Sequence, residues 1–258
     1  MDDKSKPFVI CGVNAVAEKL KSAPGDILEL MVATGRLAPR LAAIVDDARR
    51  RGVAVRPVDW PRLTAWTDGA LHQGIAAAVA PPAYADFERL LDAIKAEPRR
   101  LLVLDGITDP RNFGALLRSA EGAGIRDVLI AKDRAVGVTP VVVKSSAGAA
   151  NHLQIYRVTN IVRALAELKE RGCWIVGLDA EASESIYDRE YPPTLAVVLG
   201  SEGKGMRPII RRECDFLAAI PMMGKIGSLN VSVAGAVFLY ELARQARAAG
   251  QPKSGKNR

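Results

Sequence analysis

Five compact apolar runs recur along the second half of the chain, at residues 101–104, 127–131, 173–178, 195–199 and 216–220. They do not alternate polar with apolar residues, so they predict strands buried on both faces, as in a parallel sheet. Helical segments separate them at 112–122, 139–149, 160–171 and 228–248, the last being the longest. Consecutive parallel strands need a crossover, and strand-helix alternation over roughly 150 residues predicts an α/β sheet of Rossmann type. Ligands then belong at the carboxyl ends of its strands.

The first part of the chain reads as a smaller α/β domain, residues 1–83, with strands expected at 27–33, 54–58 and 74–80 and helices at 13–21 and 39–51. Pro81-Pro82 marks its end. Residues 84–98, a polar helix-like stretch closing in Glu97-Pro98, read as a linker, and residues 99–249 as the second domain. The tail 250–258 carries Lys253, Lys256 and Arg258 with no acidic residue and no apolar period, so disorder is expected there. Charge divides with the domains: residues 1–98 hold 13 basic and 13 acidic side chains, residues 99–258 hold 23 and 16. The whole excess of +7 lies in the second part, a modest bias toward polyanions.

Aromatic residues make up 5% of the chain, too few for a nucleic-acid binder built on rows of stacked rings. Cys11, Cys173 and Cys214 are too scattered for a disulfide framework or a four-ligand zinc site, and fit a reducing cytosol. His72 and His152 alone offer little material for a metal centre or a Ser-His-Asp relay, so no metal is expected. The start MDDKSKPFVICGVNAV has no basic front and does not read as a signal peptide. No stretch of about 18 apolar residues predicts a membrane span. A cytoplasmic protein with no membrane partner is expected.

Three loops ask for a ligand. In the first, Asp105 ends a strand and Asp109-Pro110 starts a helix, carboxylate as cap and Pro where no donor is needed. Asn112 and Arg118 follow on that helix, either as solvated residues or as ligand contacts. The second, Gly200-Ser201-Glu202-Gly203-Lys204-Gly205, places three glycines in six residues after an apolar strand. It is neither a dinucleotide fingerprint nor a P-loop, and fits a tight turn or a backbone cradle equally. The third, 220–232, leads into the final helix, which Ser228 or Asn230 caps.

In this order the loops resemble the three motifs of the SpoU/TrmH family of ribose 2′-O-methyltransferases, of the SPOUT class. The resemblance rests on Asp109-Pro110-Arg111-Asn112-Phe113-Gly114-Ala115 with Arg118-Ser119-Ala120, on Gly200 to Gly205, and on Ser228-Leu229-Asn230-Val231-Ser232. The first domain, with His72-Gln73-Gly74-Ile75 near its end, is similar to the L30e-like substrate-binding domain of the subgroup that methylates guanosine in 23S ribosomal RNA. The family implies a deep trefoil knot in place of an ordinary Rossmann topology, S-adenosyl-L-methionine as cofactor, and a homodimer with active sites across the subunit interface. By position it implies Gly200, Ile220, Ser228, Leu229 and Asn230 as cofactor-binding, and Asn112, Arg118 and Glu202 as catalytic. It implies 23S ribosomal RNA or a pre-ribosomal particle as partner. A family member acting on transfer RNA or another ribosomal site is one alternative, and a non-catalytic RNA-binding assembly factor is another.

Overall fold

The computed structural model describes residues 8–80, 83–203 and 205–250. The expected tail, apart from Gly250, the Pro81-Pro82 boundary and Lys204 lie outside them. In chain order the elements are β1 (Phe8–Cys11), α1 (Val13–Ser22), β2 (Ile27–Ala33), α2 (Pro39–Arg50), β3 (Val55–Val58), α3 (Trp60–Trp66), β4 (Ile75–Val79), α4 (Phe87–Ala96), β5 (Arg100–Leu104), α5 (Pro110–Gly122) and β6 (Asp127–Ala131). They continue with α6 (Pro140–Ser145), β7 (Gln154–Val158), α7 (Ile161–Glu170), β8 (Trp174–Leu178), β9 (Leu195–Leu199), α8 (Pro208–Glu213), β10 (Phe216–Ala218) and α9 (Val231–Gly250). The chain forms two compact units, one of residues 1–83 with 138–152, the other of 84–137 with 153–258.

The smaller unit holds a four-stranded mixed sheet, order β1-β4-β2-β3, in which β4 runs antiparallel to both neighbours and β3 parallel to β2. Ile10, Leu20, Leu30, Leu63 and Ile75 are fully buried between sheet and helices. The turn His72-Gln73-Gly74 is a structural lock. Buried His72 accepts the Gly74 N–H at Nδ1 (3.1 Å), which leaves the proton on Nε2, 3.0 Å from Thr64 Oγ1. Gln73 Oε1 accepts the first amide of α1, from Val13, at 3.0 Å. Gly74 sits at φ +82°, where a Cβ would also press on Leu41, so glycine is required.

The larger unit is built on a six-stranded, wholly parallel sheet of order β10-β8-β9-β5-β6-β7. One face buries Leu101, Val103, Ile175, Ala196 and Val198 under α4 and α7. On the α5 and α9 side, helices and sheet approach so closely that a Cβ on Gly235 would lie 2.4 Å from Leu116 Cδ2 and 2.7 Å from Leu199 Cδ1.

Four expectations need correction. The segment read as a linker contains α4, whose Leu90, Leu91 and Ile94 are core residues of the larger unit. Residues 138–152, expected in the second domain, belong to the smaller unit, where Val142 and Val143 are buried. Helix α9 begins at Val231, not 228, because Asn230 caps it. The sheet is parallel α/β as expected but not of Rossmann order: β9, the fifth strand of the unit, is inserted between its first, β5, and its fourth, β8.

Candidate active site

The three loops leave β5, β9 and β10 at their carboxyl ends. Asp109 caps α5, its Oδ1 accepting the amides of Arg111 (2.7 Å) and Asn112 (2.9 Å). That cap fixes the first turn and with it Asn112, whose Nδ2 donates to Glu202 of the second loop. The second loop folds back on itself: Ser201 and Gly205 exchange both backbone hydrogen bonds, at 3.0 and 2.9 Å. A Cβ on Gly200 would sit 2.1 Å from the Met206 nitrogen, so no other residue fits the crossing.

What anchors this loop is Asp105, just past β5 and 3% exposed. Its carboxylate accepts Arg207 Nε at 2.9 and 3.1 Å and the Arg207 amide at 3.3 Å, while Arg207 Nη2 lies 2.7 Å from Oδ1. A buried carboxylate facing one guanidinium fork makes charge-assisted hydrogen bonds on several of its lone pairs, and the end of the loop is held by them. In the third loop Asn230 Oδ1 accepts the Ser232 amide (2.8 Å) and hydroxyl (2.6 Å).

Between the loops lies a cleft of about 670 Å³. All five residues expected to bind cofactor line it, Gly200, Ile220, Ser228, Leu229 and Asn230, and so does Glu202. Asn112 is not in the lining but is tied to Glu202. Arg118 is exposed on the third turn of α5, outside the lining. The structure thus brings seven of the eight expected residues together and leaves Arg118 apart.

Sequence reasoning missed Leu178, Asp179, Glu181 and Arg211, which close the cleft beyond β8. Asp179 Oδ2 pairs with Arg211 Nε at 3.0 Å. The signal was the one used elsewhere, polar residues directly after an apolar strand, but Asp179-Ala180-Glu181 carries no glycine to mark it.

Chemically the cleft offers carboxylates, one guanidinium, hydroxyl and amide groups between apolar walls. Burial pushes the thiols of Cys173 and Cys214 up to about 12, so neither is a thiolate nucleophile at neutral pH. Among the described residues no cluster of His, Cys, Asp or Glu is placed to hold a metal ion, and no helix is long and apolar enough to cross a membrane.

Comparison with known proteins gives this geometry a context. Residues 99–240 match the SpoU rRNA Methylase family, and residues 9–85 match the family described as RNA 2′-O ribose methyltransferase substrate binding. The 23S rRNA (guanosine-2′-O-)-methyltransferase RlmB of Bordetella pertussis is 43% identical over 238 residues, 92% of this chain and 97% of that protein. RlmB of Pseudomonas putida is 41% identical over 239 residues, 92% of this chain and 96% of that protein. Among solved structures, an RNA 2′-O ribose methyltransferase is similar with a TM-score of 0.77 at 27% identity, over 95% of this chain and 91% of that one. The SpoU methyltransferase AviRb from Streptomyces viridochromogenes, in complex with AdoMet, has the same fold with a TM-score of 0.78 at 24% identity, over 96% of this chain and 93% of that one. With one family matched over the cleft-bearing part and relatives matched along nearly the full length, the chain belongs to the SpoU rRNA methylase family.

Proposed function

We propose that this protein transfers a methyl group from S-adenosyl-L-methionine to a ribose 2′-hydroxyl of 23S ribosomal RNA, at a guanosine. The observation that carries the reading is the cleft where three loops converge, with the Asn112–Glu202 pair at its edge. Relatives named for that reaction, 41% and 43% identical, supply the substrate class.

The cleft fits the cofactor. Its volume of about 670 Å³ lies inside the usual range for small-molecule sites. Leu178, Ile220 and Leu229 give apolar walls for a purine, and Gly200, Ser228 and Asn230 put small or polar groups beside them. When bound, S-adenosyl-L-methionine supplies an electrophilic methyl group on a sulfonium.

The protein's part is to prepare a weak nucleophile. A ribose hydroxyl must lose its proton and have the charge on its oxygen stabilised as it attacks. Arg118 is the orienting and charge-stabilising group. A guanidinium holds its proton too tightly to act as a base, so the proton goes to Glu202 or to a neighbouring phosphate. Asn112, fixed by the α5 cap and by Glu202, positions the ribose, and proximity supplies much of the acceleration.

The exposure of Arg118 outside its own chain's cleft supports a homodimer in which one protomer's arginine completes its partner's site. Apolar side chains exposed around the third loop and α9, including Met223 (97%), Ile226 and Val233, support the same reading. The insertion of β9 between β5 and β8, followed by the return of α9 onto α5, supports the deep trefoil knot. The smaller unit is read as an L30e-like domain that selects the RNA, and the working compartment as the cytoplasm.

Labelled cofactor incubated with 23S ribosomal RNA is expected to place label on RNA, at a 2′-O-methylguanosine. A folded dimer that binds no cofactor by calorimetry, with or without RNA, would overturn the reading in favour of a non-catalytic assembly factor. Label appearing only on transfer RNA would reassign the substrate.

A further inference from the structure

Cations of the larger unit differ in how they are partnered. On α7 and the turn after it, Arg163, Lys169 and Arg171 each pair with a carboxylate, those of Glu167, Asp215 and Asp92. At the carboxyl ends of β5, β6 and β7 the cations Arg111, Lys132, Arg134 and Arg157 are all exposed, and none has a carboxylate partner among the described residues. Asp133, also exposed, lies between two of them in sequence and pairs with neither.

We propose that Lys132, Arg134 and Arg157, continued by Arg111 at the start of α5, form a phosphate-binding rim that carries the RNA backbone to the Asn112–Glu202 pair. The proposal rests on the reading of the chain as an RNA methyltransferase, and places on the catalytic unit a path for the strand being modified.

The rim is built, not loose. Lys132 donates its amide to Val158 O at 2.8 Å, so the residue after β6 is held to the end of β7. Arg157, on β7 opposite Ile130 of β6, donates from Nη2 to Lys132 O at 3.1 Å. Its guanidinium lies 4.7 Å from the centre of the Tyr84 ring, so the group is pre-oriented with further N–H donors available to a phosphate. Arg134 adopts φ +58°, a left-handed conformation that is strained for a residue with a side chain. That conformation occurs where the loop is stapled to the first site loop, through Val136 N–H donating to Ile107 O at 2.9 Å.

Strands β5, β6 and β7 are consecutive in the sheet, about 4.8 Å apart, so the rim runs roughly 10 Å across their ends. The cleft lies the other way, over β9 and β8, with Asn112 and Glu202 between. A strand following the rim would arrive at the Asn112–Glu202 pair. Unpaired, rigidly mounted cations in a row fit a regularly spaced polyanion better than a single anionic ligand.

The test is the salt dependence of binding of a mixed-sequence 20-nucleotide single-stranded RNA to the full-length chain between 50 and 200 mM salt. The variant is Lys132→Gln with Arg134→Asn and Arg157→Gln, asparagine being chosen at 134 because it tolerates positive φ. Each phosphate contact on a single strand contributes about 0.7 to the slope of log affinity against log salt, so the variant's slope is expected to be shallower by about 2. Over that salt range the native affinity then falls roughly 20-fold further than the variant's. Lys132→Gln alone, a change at one exposed side chain, is expected to remove about 0.7. Arg163→Gln on α7 is the control and leaves the slope unchanged. Binding of S-adenosylhomocysteine by calorimetry is expected to match native in every variant. An unchanged slope in both rim variants, with native cofactor and RNA binding intact, overturns the rim and leaves the enzymatic reading standing. A native chain that binds neither RNA nor S-adenosylhomocysteine overturns both.

Discussion

Two aspartates sit at opposite ends of the large sheet, each 3% exposed and each facing an arginine. Asp127 opens β6 and accepts Tyr156 Oη at 2.8 Å and Arg99 Nη1 at 3.1 Å, tying the residue before β5 and the middle of β7 to the start of β6. Burial, together with the Asp127 carboxylate, raises the Tyr156 hydroxyl far above its ordinary value, so it remains a donor. Asp105, past the end of β5, instead holds Arg207, the last residue of the loop that carries Glu202. The local chemistry is nearly the same and the consequence is not. A buried carboxylate marks a site only when its partner belongs to an element that carries reacting groups.

The comparison separates activity from stability by the end of the sheet. The largest effect is expected at Arg118. Removing it as Arg118→Ala is expected to slow single-turnover methyl transfer by roughly two to three orders of magnitude, with the thermal midpoint unchanged because the side chain is exposed. A native rate would remove Arg118 from the chemistry.

Asp127→Asn comes next, on the other axis. It weakens a charge-assisted pair and leaves buried donors poorly matched, for a loss of about 2 kcal/mol in denaturant unfolding. Its methyl-transfer rate per folded molecule is expected to stay native. Asp105→Asn is expected to reverse that pattern, with about 1 kcal/mol lost because Arg207 is half exposed, and a rate reduced about 10-fold through a displaced loop. If both variants lost rate and stability in equal proportion, the distinction between the two ends would collapse.

The smallest effect belongs to the smaller unit. Burial lowers the pKa of His72 in the folded chain, with Lys144 adding to the shift. The unfolded chain therefore binds the extra proton first as pH falls below about 6.5. Stability is fully present above that value and declines as pH drops toward the folded pKa. Thermal midpoints of native and His72→Gln chains are expected to converge between pH 7 and pH 5. A constant gap would mean that the buried ring is not what titrates.

Much of this was legible beforehand, for identifiable reasons. Strands β6 and β9 were read to the residue because Asp127–Ala131 and Leu195–Leu199 are continuous runs, almost wholly buried on both faces. Strand β7, Gln154–Val158, has no expected counterpart: it is the sheet edge, fully buried only at Ile155 and Tyr156, and offers no continuous apolar run. Helix α4 reads as a polar, helix-like linker because four of its ten residues are charged, although Leu90, Leu91 and Ile94 form one buried stripe. Nothing local tells residues 138–152 which unit to pack on, since an apolar pair such as Val142-Val143 asks for burial without naming a partner. In the site, glycine density and helix caps exposed three loops. Asp179 and Arg211 stayed hidden because their pairing spans 32 positions and depends on strand order, which propensity does not encode.

The placement of β9 also sets a timetable. Its two neighbours, β5 and β8, are both made before it, and each presents a row of unpaired backbone groups until residue 199 is available. About 95 residues separate the end of β5 from the end of β9, so at 5–20 residues per second a growing chain keeps that edge of β5 open for roughly 5–20 s. During that interval an apolar strand edge is free to pair with another chain, the situation that favours aggregation. Newly made molecules of this protein are therefore most vulnerable before the fifth strand arrives, and conditions that slow synthesis between residues 104 and 199 lengthen the exposure.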